Sequence, residues 1–215
     1  IEREASVPLK RDPRKAVAAM ARQAPQTLDA LNALIAASEP LTPGTDRAVP
    51  GEGPMQPAIA FVGEQPGDEE ERGGRPFIGP AGQLLDRALA EAGVVRGESY
   101  LTNAVKHFKY ELRGKKRLHK RPDPGEVKHY RWWLMKELDF VRPRLVVALG
   151  ATAALALTGK PVAVTRQRGP AQFGAWPGFI TVHPSYLLRL PSESARDEAY
   201  AAFVADLRRA AELVA

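Results

Sequence analysis

The stretch ELRGKKRLHKR at residues 111–121 sets one histidine, His119, among Lys115, Lys116, Arg117, Lys120 and Arg121. A loop so composed can grip a polyanionic backbone and offer a nucleophile at the same point. Neighbouring like charges disfavour the imidazolium, so they predict a neutral, nucleophilic imidazole at neutral pH. The simpler reading of the loop alone is a solvated basic turn that binds anions.

Other candidates stand in shorter motifs. In GEQPGDEEERGGRPFIGPAG, residues 63–82, Gly and Pro make a tight turn that bears a carboxylate, Glu64, an amide, Gln65, and one aromatic, Phe77. Glycines there let backbone approach a ligand, and a helix starting near Pro80 aims free N–H groups at it. The acids Asp68, Glu69, Glu70 and Glu71 read as solvated. Asn103, in YLTNAVKHFK, can accept from N3–H and donate to O4 of a pyrimidine, although Asn at such a place is also a common turn former. His107 is open between a phosphate contact, a packed side chain and a catalyst. His183, in TVHPSYLLRLP, can donate to a departing anion or be a satisfied structural histidine, with Ser185 placed to cap the next turn. His129, beside Tyr130, Trp132 and Trp133, belongs to packing.

The whole composition narrows the partners. Lys and Arg outnumber Asp and Glu by 31 to 25 over 215 residues, with the excess concentrated at 106–121, which favours nucleic acid over acidic or neutral partners. In that segment Lys106, Lys109, Arg113, Lys115, Lys116, Arg117, Lys120 and Arg121 face a single acid, Glu111. There is no cysteine, which rules out disulfides, thiolate zinc and iron–sulfur ligation. No apolar run approaches the roughly 20 residues of a bilayer span, and the start lacks the apolar core of a signal peptide. A cytoplasmic chain, free of membrane, is the expectation. Its start at Ile1 rather than Met suggests a piece of a longer polypeptide.

Compact apolar runs at 58–62, 99–102, 145–149 and 179–182 read as strands, and helical patterns at 81–92, 125–140, 151–157 and 193–214 lie between and after them. That alternation predicts an α/β fold: a three-layer αβα sandwich around a central, mostly parallel four-stranded sheet. Residues 13–37 predict two short helices broken at Pro25, followed by a Pro- and Gly-rich loop at 39–57. The expected division is an N-terminal arm and linker at 1–56 and one domain at 57–215. Glu64, Asn103, Gly150 and His183 each follow directly on a predicted strand. Ligands bind outside the carboxyl ends of parallel strands, so all four should meet in one cleft.

The ordered motifs GEQPGD, RPFIGPAG, YLTNAVKHFK, KKRLHK, RPRLVVALGATAA and TVHPSYLLR closely resemble the uracil-DNA glycosylase superfamily, family 4 branch, and the basic histidine loop resembles the UdgX type. The resemblance covers residues 57–215. It implies that uracil is extruded from single-stranded or duplex DNA and excised, and that a histidine then captures the sugar C1′ covalently. Carried over by motif, the nucleophile is His119, while Glu64 stabilises the sugar cation or activates that nucleophile. Gln65 contributes uracil contacts mainly through its backbone, Phe77 stacks on the base, Asn103 reads its edge, and His183 donates to uracil O2. Lys106, Lys115, Lys116, Arg117 and Ser185 are the expected DNA contacts, and the products are free uracil and an adduct of a monomeric protein.

One departure is plain. The family usually carries four cysteines around an iron–sulfur cluster, and here the corresponding places read Ala36 to Glu39, Tyr130, and Val146 to Ala148. No cofactor or metal is therefore expected, with packing that includes Trp132 and Trp133 in place of the cluster's cross-link. Two other readings stand beside this one: a conventional, multiple-turnover family 4 enzyme, and a non-catalytic nucleic-acid binding module.

Overall fold

In the computed structural model, which describes residues 24–40, 45 and 47–215, short apolar runs stopped by glycine or polar residues supply four of the five strands of the central sheet. In chain order the five are β1 (Ile59–Gly63), β2 (Tyr100–Asn103), β5 (Leu145–Leu149), β6 (Gly169–Phe173) and β7 (Trp176–Thr181). Their spatial order is β2-β1-β5-β7-β6, parallel throughout except for the antiparallel β6–β7 pair. Four of the five occupy the predicted places. The fifth, β6, went unread because GPAQF has no apolar run, and its Pro170 suits an edge strand, where a missing N–H costs nothing.

Every residue of β1, β2 and β5 is buried, which is what a sheet covered on both faces requires. Alternate side chains feed two cores. Ala60, Val62, Val146 and Ala148 pack with Leu31 and Ile35 of α1 (Leu28–Ala36) and with Tyr130, Trp133, Leu134 and Leu138 of α4 (Pro124–Val141). On the opposite face Phe61, Val147, Leu149 and Phe179 meet Leu84, Leu85 and Leu89 of α3 (Pro80–Glu91) and Phe203 and Leu207 of α8 (Glu193–Glu212). These layers make the αβα sandwich. The earlier of the two helices predicted within 13–37 lies outside the described residues.

Local chemistry sets the helix ends. α4 opens on a reciprocal cap, with Asp123 accepting from the Glu126 N–H at 3.0 Å and Glu126 accepting from the Asp123 N–H at 2.8 Å. α3 begins at Pro80, where a missing N–H is harmless. Between these helices the basic stretch forms a hairpin, β3 (Tyr110–Arg113) with β4 (Lys116–His119), turning at Gly114 with φ 62°. Its charged residues carry no hydrophobic alternation, so the sequence read it as an irregular loop.

Lys106 corrects one expectation outright. Rather than meeting DNA, its fully buried ammonium donates to Glu137 at 2.6 Å and Thr102 at 2.7 Å. The same carboxylate accepts from Thr102, the Tyr100 hydroxyl at 3.0 Å and the Gly51 N–H at 2.9 Å. A charge this deep persists only when it is paired and every oxygen is hydrogen-bonded.

Candidate active site

The sheet order reverses between β1 and β5, and outside the carboxyl ends at that point lies a cleft of about 720 Å³. Glu64, Asn103, Gly150 and His183 all line it, as their strand-end positions required, and Phe77 and His119 join them from the adjoining loop and hairpin.

Glu64 is the hub. Its Oε1 lies 3.3 Å from His119 Nε2, while Oε2 accepts from the Thr152 hydroxyl at 2.5 Å and faces Arg121 Nε at 3.8 Å. His119, whose side chain is 46 % exposed, sits at the base of the hairpin opposite Tyr110. Two anchors hold that base. The Gln65 amide donates to the carbonyls of Lys109 at 3.0 Å and Lys120 at 3.2 Å and accepts from the Lys109 N–H at 3.2 Å. Arg117 pairs with Asp68 and Glu71 while lying over the rings of Phe108 and Tyr110, 5.5 and 5.0 Å from their centroids.

These anchors correct two expectations. Arg117 spends its guanidinium on two carboxylates and two aromatic faces, so it positions the hairpin instead of meeting phosphate. The acids at 68–71 are not merely solvated: Asp68 and Glu71 hold Arg117, and buried Glu70 accepts from the N–H groups of Gly67 at 3.0 Å, Ile78 at 3.1 Å and Gly79 at 2.8 Å. Glu70 thus ties the Glu64 turn to the Phe77 loop. Lys115 and Lys116 remain exposed near the hairpin turn, the place a phosphate backbone could reach.

Partial withdrawal of the His119 ring from water into the cleft lowers its pKa below the ordinary value, Glu64 opposes this, and Arg189 adds to the lowering. The direction is the one the sequence predicted. The cause differs, since burial leads and the contributing cation comes from another element.

His183 caps α7 (Pro184–Leu188): its Nδ1 accepts from the Ser185 N–H at 3.2 Å and lies 2.8 Å from the Ser185 hydroxyl. Ser185 was expected to do the capping, and the roles are reversed. Burial pushes the His183 pKa down to about 4, with His119 and Arg189 lowering it further and Glu64 opposing. With Nδ1 occupied as an acceptor, the neutral ring carries its proton on Nε2. The Phe77 ring lies 6.3 Å from the His183 ring, inclined by 30°, on a backbone with φ 55°. Gly63 makes that placement possible, because a Cβ there would stand 2.5 Å from Phe77 Cζ and 2.4 Å from Asn103 Oδ1.

Sequence reasoning missed Thr152 and Arg189, and it read Arg121 only as one cation of the basic loop. Thr152 lies two residues beyond a strand-end glycine, so the strand-end rule extended by one turn would have found it.

Acid sensitivity follows from the buried imidazoles. His107 and His183 are both held down to about 4 from an ordinary 6.5, chiefly by burial. Between those values the unfolded chain binds protons that the folded chain refuses, so this stability is full above pH 6.5 and is lost as pH falls toward 4. Urea titrations should show a lower midpoint at pH 5 than at pH 7.5. An equal or higher midpoint at pH 5 contradicts this.

The residues do not fit the iron–sulfur cluster of the resembled family, because no thiolate exists anywhere in the chain. The Tyr130 hydroxyl lies 2.7 Å from Nδ1 of buried His107, and Val146 is wholly buried in β5. His107 is therefore the packed side chain among its three readings. Trp133 is buried in the adjoining core, with Trp132 edge-on at 5.2 Å. Among the described residues no group of three or more His, Asp or Glu is placed to hold a metal, and no helix is long and apolar enough to cross a membrane.

Comparison with known proteins gives a family match at residues 50–208 to the uracil DNA glycosylase superfamily. The chain is 39 % identical over 160 residues to a type-4 uracil-DNA glycosylase of Thermotoga maritima, covering 73 % of this chain and 80 % of the relative. It is 35 % identical over 162 residues to a type-4 uracil-DNA glycosylase of Pyrobaculum aerophilum, covering 71 % and 79 % respectively.

Proposed function

The chain belongs to the uracil DNA glycosylase superfamily, and from that premise we propose that it excises uracil from DNA, works without an iron–sulfur cluster, and retains the abasic sugar as a covalent adduct on His119. The observation that carries this reading is the 3.3 Å approach of His119 Nε2 to Glu64 Oε1 at a cleft also lined by Phe77, Asn103 and His183.

Extruding a nucleotide costs a few kcal/mol of stacking and pairing. Stacking on Phe77 and hydrogen bonds from Asn103 to the uracil edge offset that cost. As the C1′–N1 bond breaks, its electron pair leaves with uracil, and the Nε2–H of His183 donates to O2, where the negative charge collects. The Glu64 carboxylate faces the oxocarbenium-like sugar. The His119 lone pair then forms a bond to C1′. Glu64 takes the Nε2 proton of the neutral ring as this bond forms, and the uracil anion takes a proton in turn from Glu64 or solvent, so the products are a neutral adduct and neutral uracil. His119 competes with water through its effective concentration. Exposed Lys115 and Lys116 hold the phosphate backbone, with Ser185 at the cleft supporting the strand.

The type-4 naming of both relatives favours a second reading, in which water collects the cation and the enzyme turns over. Labelled oligonucleotides containing uracil or thymine decide among the readings on denaturing gels. A uracil-dependent species that survives hot SDS, in at most one equivalent per protein, is the expected result. Many equivalents of free uracil without that species leave the hydrolytic reading, and equal binding of both oligonucleotides with no uracil release leaves only a binding module.

A further inference from the structure

Glu64 has one oxygen facing His119 and the other already engaged. Thr152, the second residue of α5 (Ala151–Thr158) and 3 % exposed, donates its hydroxyl to Oε2 at 2.5 Å, a short charge-assisted bond. The turn that delivers Thr152 is itself held. Gly150 takes φ 91°, its N–H donates to the Thr181 carbonyl at 2.9 Å, and a Cβ on it would lie 3.0 Å from His183 Cβ. A hydroxyl from α5 therefore meets the carboxylate that follows β1, with little freedom at its root.

We propose that Thr152 is a positioning residue for the excision reaction: by binding Oε2 it sets the rotation of the Glu64 carboxylate, so that Oε1 faces His119 and the sugar carbon. This rests on the glycosylase reading above. The terminal torsion of a glutamate is broad and roughly two-fold, so an unanchored carboxylate spreads over orientations in which neither oxygen faces its target. A catalytic carboxylate gains most when its aim is fixed before substrate arrives. Arg121 supplies charge at 3.8 Å from the same oxygen but stands largely in solvent, with 67 % of its side chain exposed, and fixes direction poorly.

The experiment compares Thr152→Val and Thr152→Ser with wild type in single-turnover excision from a uracil-containing single-stranded oligonucleotide. Affinity for the uncleaved DNA and the share of product held as adduct are read alongside. Loss of one hydrogen bond to a charged group predicts a rate about 10- to 100-fold lower for Thr152→Val, with affinity unchanged and Thr152→Ser restoring the rate. In a Glu64→Gln background the valine should add no further loss, since both changes act through one carboxylate. Should valine at 152 not fold, Thr152→Ala set against Thr152→Ser carries the same comparison. Excision by Thr152→Val at the wild-type rate, or a serine variant as slow as the valine one, overturns the proposal. Wild type inert toward uracil-DNA is a different result, and it removes the glycosylase reading together with this one.

Discussion

Substituting His119 with serine is expected to remove the SDS-resistant complex with uracil-DNA completely while uracil release continues. On the proposed reading Phe77, Asn103, His183 and Glu64 extrude the base and stabilise its departure, and none of them is touched by the change. What disappears is the nitrogen 3.3 Å from Glu64, at a site where the shorter serine side chain leaves room for water. Under the proposed covalent capture, water then collects the sugar cation in its place, and the variant is expected to release uracil over many turnovers. Gel analysis after hot SDS, paired with measurement of free uracil over several equivalents of substrate, reads both halves. A His119→Ser protein that still carries DNA through hot SDS would sink the assignment of the nucleophile.

Lys106→Met is expected to cost about 3–5 kcal/mol of folding stability, because it strands the Glu137 carboxylate as an uncompensated buried charge. Against the roughly 5–15 kcal/mol by which domains are stable, this is a large share. Tyr100, Thr102 and the Gly51 N–H continue to donate to Glu137, but none of them carries positive charge. Replacing Glu137 as well with Met removes the stranded charge and should recover part of the loss. Recovery stays incomplete, since the Gly51 N–H and the Tyr100 hydroxyl then lack their acceptor. Urea unfolding of the single and double variants measures both effects, and a Lys106→Met protein within about 1 kcal/mol of wild type would mean the pair is not what secures this region. The consequence reaches the cleft, because Thr102 in this network precedes Asn103 on β2.

The candidate site was legible wherever one local rule sufficed. Glu64, Asn103 and His183 each follow a short apolar run, and parallel strands deliver whatever follows them to the same edge of the sheet. The basic stretch was legible as charge but not as structure. Eight cations facing a lone Glu111 looked like a phosphate grip until Lys106 met Glu137, Lys109 met Glu126 and Arg117 met Asp68 and Glu71. Those acids stand 31, 17, 49 and 46 residues away from their partners, and no periodicity spans such gaps.

Taken alone, the amino-acid order determined the layered α/β class, the strand ends at which chemistry gathers, the absence of any thiolate, and the identity of His119 as the histidine of the basic loop. All of these depend on residue type and near-neighbour spacing. Only the tertiary structure decided which cations are spent on internal acids, that the histidine loop is a hairpin anchored by Gln65 and Arg117, that partial burial and Arg189 contribute to depressing the imidazole, and that Thr152 holds Glu64. Each of those outcomes turns on distances of a few ångströms between segments far apart in the chain. Coulomb and hydrogen-bond energies act only once folding has closed those gaps.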